Sequence, residues 1–482
     1  MPDKYAEVRE THTGVVLLVG DRALKAKKPC RMAFLDFSTA ALREAACARE
    51  LELNRRLAAD VYLGVGHLSD PLGGPSEPIL MMRRMPEHSR LATMIAGAEP
   101  VEAQLGELAA MIAAFHTTAK RGPDIDRQGT VEFVRIRWEA NLREIAALND
   151  GSKLSGLSEI DFLAMRYLAG REKLFARRIM DSRIVDGHGD LSCEDVFCLP
   201  DGPRALDCLD FDDALRFVDG IDDVCFLAMD LEFRGRPDLS RLFLDGYVEA
   251  AQDSVPASLI GHYVAYRALV RAKVELIRAG QGESRSIETA EEYRRLAVEH
   301  LRQGTVRLCT VGGLPGTGKT TVGTALAGMV GATLISSDRV RKELVADGVI
   351  DGQPGMFGRG LYSPDTVAFV YKTMLERASA LLENGISVVL DASWTDDERR
   401  SDATALAKAT DSFPISLHCV APAHVAALRI SRRDRGDSDA TPDIAVAMAG
   451  RRAASGPEST LIDTSGSIEA SVAAATEAWY AI

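Results

Sequence analysis

Gly313, Leu314, Pro315, Gly316, Thr317, Gly318, Lys319 and Thr320 form an ungapped GxxxxGKS/T run, and no other stretch constrains this 482-residue chain as tightly. Such a run binds phosphate only between a strand and a helix. The apolar segment 306–312 predicts the strand, and 321–329, opened by Thr321, predicts the helix. Glycines let successive backbone N–H groups turn inward around phosphate oxygens. The helix N-terminus adds its partial positive charge. Lys319 then reaches the β- and γ-phosphates and Thr320 offers its hydroxyl to Mg²⁺, so ATP with Mg²⁺ is the expected ligand.

Downstream, strand and helix patterns alternate, which implies a parallel sheet covered on both faces. A strand over 334–336 leads to Asp338 and, one helical turn later, Arg341. A carboxylate there can take the proton of an attacking hydroxyl, and Arg341 can hold a polar or anionic acceptor. Asp338 also suits a helix N-cap, a role compatible with the first. Asp391 ends a buried strand over 386–390, where an acid orders magnesium or its water. After a strand over 415–420 come Arg429, Arg432, Arg433 and Arg435. These can close over a triphosphate, as Arg399 and Arg400 can, or form the solvated face of a helix. Together these features resemble the small-molecule and polynucleotide kinases of the P-loop class, such as gluconate kinase, the 5′-hydroxyl polynucleotide kinase domain and the zeta-toxin kinases. The resemblance spans about 305–440 and implies Asp338 as base and Arg341 as substrate contact. Residues 441–482 are expected to complete the sheet and its helices.

The N-terminal portion reads differently. Two strands around a tight turn are expected within 11–30, a helix over 39–58, a strand over 78–85, and helices over 101–120 and 131–148. In the centre, Gly187, His188, Gly189 and Asp190 precede a hairpin of 196–199 with 204–211 across an Asp201-Gly202 turn. Helices follow at 220–233, 239–252, 258–279 and 287–302. The domain boundary is expected at about 300–305, giving 1–303 and 304–482. An HxD loop, an acid five residues on at Asp195, and further acids at Asp207 and Asp210 suit phosphoryl transfer. Asp190 would deprotonate an acceptor hydroxyl and the others hold Mg²⁺. Crowded carboxylates repel unless a cation sits among them. The apolar neighbours Ile184, Val185, Val196, Phe197, Leu206 and Leu209 argue against a plain solvated loop.

This portion resembles the aminoglycoside phosphotransferase and choline kinase group, and more closely the bacterial fusions of such a domain to a P-loop kinase. The resemblance implies a protein-kinase-like bilobal fold. Lys25, Lys27 and Lys28 look like the strand supplying the ATP lysine, with Phe34 to Ser38 following it. Glu50 looks like its helix partner, residues 80–85 the hinge, and the helix with His116 the one packed beneath. Asp190 is implied as base and Asp195 as a magnesium ligand. Position 195 is Asp where that group has Asn, and 192 is Ser where His is common. Asp210 and Asp212 match the group's D-x-E, with Asp219 and Asp223 trailing, and Asp207 is the competing alignment. Lys25 and Lys27 share one strand face and Lys28 takes the other. Thr11, His12, Thr13 and Gly14 are the only glycine-containing cover available over phosphates.

The expected architecture therefore combines α+β and α/β: a protein-kinase-like bilobal N-terminal domain and a P-loop NTPase parallel-sheet domain. A formal charge of −13 disfavours nucleic acid and anionic lipid as partners. The N-terminus lacks a signal pattern, no apolar stretch suffices to cross a bilayer, and eight cysteines form no CxxC pair. A reduced, cytoplasmic protein is expected. The implied function is ATP-dependent phosphorylation of a hydroxyl on a small polar metabolite or sugar, with two potential sites. Competing readings are a nucleotide-dependent regulator with an inactive N-terminal domain, a kinase of nucleic acid ends or nucleotide sugars, and a protein with one active domain. The acceptor pocket is expected from 121–182, with Trp138, Asn141 and Arg171 as candidates.

Overall fold

In the computed structural model, residues 5–10, 13–31, 36–69, 71, 73–74, 76–149, 154–283, 285–353, 358–432 and 459–481 are described. Thr11, His12, Phe34, Leu35, Arg433 and Arg435, all singled out in the sequence, lie outside these residues. The elements run β1 (Ala6–Glu10), β2 (Gly14–Val19), β3 (Arg22–Lys27), α1 (Ala40–Ala58), β4 (Tyr62–Leu68), β5 (Glu77–Arg83), α2 (Leu91–Ala96), α3 (Glu102–Thr118), α4 (Pro123–Gln128), α5 (Val131–Leu148), α6 (Leu157–Ala169) and α7 (Glu172–Met180). Then come β6 (Ile184–Asp186), β7 (Val196–Leu199), β8 (Gly202–Ala205), β9 (Phe217–Asp219), α8 (Gly220–Phe233), α9 (Pro237–Ala250), α10 (Ala257–Gly280) and α11 (Ser286–Gln303). The last group is β10 (Arg307–Gly312), α12 (Lys319–Val330), β11 (Thr333–Ser336), α13 (Ser337–Ala346), α14 (Pro364–Leu382), β12 (Val388–Asp391), α15 (Asp397–Ala409), β13 (Phe413–Val420), α16 (Ala423–Ser431), β14 (Thr460–Asp463) and α17 (Ile468–Tyr480).

The chain folds as two compact units. One comprises 1–155, 176–255 and 263–297; the other comprises 156–175, 256–262 and 298–482. In the first unit a five-stranded antiparallel sheet has the order β1-β2-β3-β5-β4. Its inner face and α1 bury Leu18, Ala23, Cys47, Ala58, Val61, Tyr62, Leu80 and Met82. Thr39 caps α1 by accepting from the Leu42 amide, which fixes where the helix begins. A helical region follows, holding two short antiparallel pairs, β6 with β9 and β7 with β8. An antiparallel sheet followed by a helical region is the order of elements that the sequence led one to expect for this unit.

Three local expectations need correction. β1 and β4 were not anticipated. β1 is a charged, mostly exposed edge strand without apolar alternation, and β4 carries Gly64 and Gly66, which normally weaken a strand. At Gly66 an added Cβ would come within 3.1 Å of Met81 Sδ, so the glycine admits the neighbouring strand's side chain. The second hairpin strand, expected to reach Phe211, stops at Ala205. Asp207 there takes a left-handed φ of 59°, and the Leu206 amide turns to the Asp195 carbonyl at 2.9 Å.

The second unit holds a five-stranded sheet ordered β11-β12-β10-β13-β14, with every pair parallel. β10 is central: the chain passes from it to β11 and β12 on one side, then crosses to β13 and β14 on the other. Such a switch point opens a crevice at the carboxyl ends of the strands. Cys309, Val311, Val322, Leu326, Val389, Leu417, Cys419, Ile462 and Trp479 form its core. The sequence expectation of 441–482 completing the sheet is met in part by β14 and α17. Among the described residues no helix is long and apolar enough to cross a membrane.

Candidate functional site

The P-loop begins where β10 ends. Gly313, Gly316 and Gly318 have φ of 141°, 81° and 81°, a region that only glycine enters without strain. Space makes the same demand at Gly316, whose added Cβ would lie 2.5 Å from the Ala426 carbonyl oxygen. The loop is braced from outside. Thr464 Oγ1 donates to the Thr317 carbonyl at 2.7 Å, and Arg429 Nη2 donates to the Thr464 carbonyl at 2.6 Å. Arg429 Nη1 lies 3.2 Å from Thr464 Oγ1 and 3.5 Å from the Gly316 carbonyl. Arg429, expected to close over a triphosphate, is thus engaged with the loop's own backbone. Thr464 had no sequence signal, because its partner lies 147 residues away.

Beneath the loop, Thr320 Oγ1 donates to Asp391 Oδ2 at 2.8 Å. Asp391 is 2% exposed and its Oδ1 has no hydrogen-bond partner among the described residues. Burial pushes its carboxyl up, and the charge of Lys319 pulls against that shift. An orphaned buried carboxylate oxygen beside a hydroxyl suits a cation that completes the pair, so the residues fit Mg²⁺. Asp338 and Arg341 pair with each other at 2.6 Å, and Arg341 sits 4.5 Å from the Tyr362 ring centroid. Asp338 is close enough to Asp391 to raise its proton affinity, which places it at the same crevice. Trp394, just past β12, has φ 50° and donates its indole N–H to the Leu390 carbonyl at 3.1 Å. Ser393 accepts from the Gly313 amide at 3.3 Å, so this segment lies against the loop's first residue. Arg399 stacks on Tyr371 and Arg400 bonds the Trp394 carbonyl and Asp397.

The second constellation is in the other unit. Asp190 follows β6 on a loop held from below by Asp223, which accepts from the His188 and Gly189 amides, both at 2.7 Å. A Cβ on Gly187 would sit 2.6 Å from Asp223 Oδ2, so the first glycine of the motif makes room for this carboxylate. His116 Nε2 approaches Asp223 at 3.0 Å and Tyr247 approaches His116 Nδ1 at 2.8 Å. Despite complete burial, these partners hold Asp223 well below the usual carboxylate range. Burial raises Asp190 to about 6, against the opposing charge of Arg271 and Arg267. Asp195 is raised too, by burial and then by Asp207 and Asp190. Ser192, the departure noted in the sequence, donates to Asp195 Oδ2 at 2.7 Å.

The choice between lysines resolves into a paired network. Lys25 Nζ lies 2.7 Å from Glu50 Oε1 and 3.3 Å from Asp207 Oδ1. Lys27 Nζ lies 2.8 Å from Glu50 Oε2 and 3.1 Å from Asp210 Oδ2. Lys28 reaches Glu10 instead. Burial lifts Asp210, while Lys25 holds Asp207 down. Asp195 is expected to hold Mg²⁺ with Asp210 or, in the competing alignment, Asp207. Among the described residues no group of three acidic, His or Cys side chains gathers at metal-binding spacing. As placed, Asp207 and Asp210 are each paired with a lysine, and Asp195 accepts from Ser192.

The residues expected at the acceptor pocket divide between the two units. Trp138 and Asn141 are buried on α5, with Trp138 5.3 Å from the Tyr266 ring. Arg171 belongs to the other unit, where Nη1 donates to the Thr410 carbonyl at 2.7 Å.

The chain is similar to known proteins at three levels: whole-chain relatives, a family model and solved structures. The uncharacterized protein Rv2004c of Mycobacterium tuberculosis is 48% identical over 479 residues, covering 99% of this chain and 96% of that protein. The chain belongs to its family. Another member, the uncharacterized protein Mb2027c of Mycobacterium bovis, matches with the same values. A family model described as an AAA domain matches residues 308–457, which include the P-loop, Asp338 and Asp391. Among solved structures, a choline/ethanolamine kinase family protein from Mesorhizobium loti covers 63% of this chain and 95% of its own at 15% identity and TM-score 0.37. A gluconokinase from Sinorhizobium meliloti covers 36% and 91% at 16% identity and TM-score 0.28. In this chain a unit built on an antiparallel sheet and a P-loop unit occur together, and the P-loop implies nucleotide binding.

Proposed function

We propose that the protein is an ATP-dependent phosphotransferase acting on a hydroxyl of a small polar metabolite or sugar, with the functional division at 1–303 and 304–482. The observation that carries this reading is the Thr320–Asp391 pair under the glycine cradle, with one Asp391 oxygen buried and unpartnered. In the P-loop unit, backbone N–H groups at 313–319 and the start of α12 bind the phosphates, and Lys319 neutralises the transferring group. Thr320 and Asp391 would hold Mg²⁺, which would supply charge neutralisation at the phosphates. Asp338 accepts the acceptor's proton once the acceptor displaces Arg341 from it, and Arg341 then holds the acceptor.

At the second site Asp190 is the proposed base, raised toward the pH range where base catalysis is efficient. Lys25 and Lys27, fixed by Glu50, would meet phosphates. A second reading has a specific observation behind it. The lysines pair with Asp207 and Asp210, a closed network that suits a nucleotide sensor as well as an enzyme. Acceptor-dependent ATP consumption across a panel of hydroxyl metabolites, for wild type, Lys319→Ala and Asp190→Ala, separates the two. Phosphotransfer predicts turnover lost in at least one variant that remains folded. ATP binding through Lys319 with no acceptor stimulating turnover would favour the sensor.

A further inference from the structure

The flank of the Asp190 loop that meets α10 is cationic, and its polar groups are incompletely paired. Arg267 and Arg271 stand one helical turn apart on α10, which places both on one face. Arg267 is 5% exposed. Its Nε donates to Asp222 Oδ1 at 2.7 Å and its Nη1 to the Gly189 carbonyl at 3.4 Å, so the guanidinium is directed at the loop. Its Nη2 is buried without a partner among the described residues. Arg271 is the strongest charge acting on Asp190, ahead of Asp207 and Arg267. It bonds the Tyr293 hydroxyl, and the carboxylates that act on it, Asp190 and Asp230, do so through space without a hydrogen bond among the described residues.

A second element contributes. α5 runs beside α10, as the Trp138–Tyr266 ring contact and the 2.8 Å Lys273–Glu144 ion pair show. Between those contacts lies Asn141, 3% exposed, with both its amide oxygen and its amide nitrogen buried and unpartnered among the described residues. Buried amides and guanidinium N–H groups are rarely left unmade, because each forgoes its hydration without a replacement. Here the unmade bonds belong mainly to donors: the Asn141 amide nitrogen on α5 and the Nη2 of Arg267 on α10.

We propose that the acceptor phosphorylated at Asp190 is itself an anion: a hydroxylated metabolite bearing a carboxylate or phosphate. Arg271 and the Nη2 of Arg267 hold its charge, and Asn141 bonds a polar group on its body. The inference rests on the phosphotransferase reading of Asp190. An amino alcohol would place another positive charge beside two arginines, whereas an anion meets the unpartnered Nη2 of Arg267 and the Arg271 guanidinium.

The test uses the full-length protein and ATP consumption, with Asp190→Asn subtracting turnover that belongs elsewhere. Three acceptor sets are compared: hydroxy acids with sugar phosphates, neutral polyols, and amino alcohols. Asp190-dependent turnover is expected for the anionic set, and within it hydroxy acids against sugar phosphates separates the two sources of charge. Arg271→Met is expected to raise KM for the active anion by about 10- to 100-fold, the scale of one lost charge-assisted contact, with kcat little changed. Arg271→Lys should restore part of the loss, which a merely structural role would not predict. Asp190-dependent turnover of polyols or amino alcohols in preference to anions overturns the proposal, as does an unchanged KM in a folded Arg271→Met protein. Absence of Asp190-dependent turnover with every set overturns the phosphotransferase reading of this site itself.

Discussion

At the scale of single residues, the contrast between Asp190 and Asp223 is instructive. Both are aspartates near one loop, yet burial raises the first to about 6 while two amides and His116 hold the second far down. The difference lies in what accepts the charge. Asp223 has donors on both oxygens, and Asp190 has only nearby arginine charge to offset its burial. A carboxyl whose folded pKa exceeds its unfolded value contributes stability below the unfolded pKa, and that contribution is lost as pH rises through the folded one. Asp190→Asn, which cannot ionise, should therefore match wild type near pH 4 and become the more stable by about 1–3 kcal/mol above pH 6 in metal-free buffer. Chemical denaturation at several pH values checks this, and a variant less stable at pH 8 would show that the carboxylate is held by partners after all. Lys25 and Lys27 were legible as a pair on one strand face. That both meet Glu50 was not, because strand alternation gives direction but no partner.

At the scale of elements, the turn from β10 into α12 was readable almost in full. Its geometry is local: glycines, a lysine and a threonine within eight positions dictate the backbone path. Its support is not local, since α16 and the residues after β14 hold the loop from outside. Gly316→Ala should test this coupling. The added methyl meets the Ala426 carbonyl in α16, and a φ of 81° costs a non-glycine residue about 1–3 kcal/mol. ATP affinity, measured by calorimetry, is expected to fall at least about tenfold, the equivalent of 1.4 kcal/mol. Unchanged affinity would mean that the loop and α16 adjust freely. β1 and β4 went unread for the opposite reason: charged or glycine-bearing sequences form strands there because neighbours supply the pairing.

At the scale of the whole molecule, two compact units within one chain make a single unfolding midpoint an unsuitable measure. Ligand binding resolves them. At about a hundredfold excess over Kd, a nucleotide stabilises the unit that binds it by about 2.7 kcal/mol. With a nucleotide site in each unit, Mg²⁺-ATP should raise two calorimetric transitions, and Lys319→Ala should cancel one shift and spare the other. Loss of both shifts in that variant would leave the P-loop as the only nucleotide site. The sequence by itself determined the P-loop, the strand–helix alternation around it and the Gly187–Asp190 loop, because each depends on backbone demands made by adjacent residues. Tertiary structure alone decided that 156–175 and 256–262 belong with the P-loop unit, that Arg429 serves the loop through Thr464, and that Arg267 reaches the Gly189 carbonyl next to Asp190. An amphipathic helix announces that it has an apolar face. Which surface that face meets depends on residues more than a hundred positions away, and no local pattern encodes it.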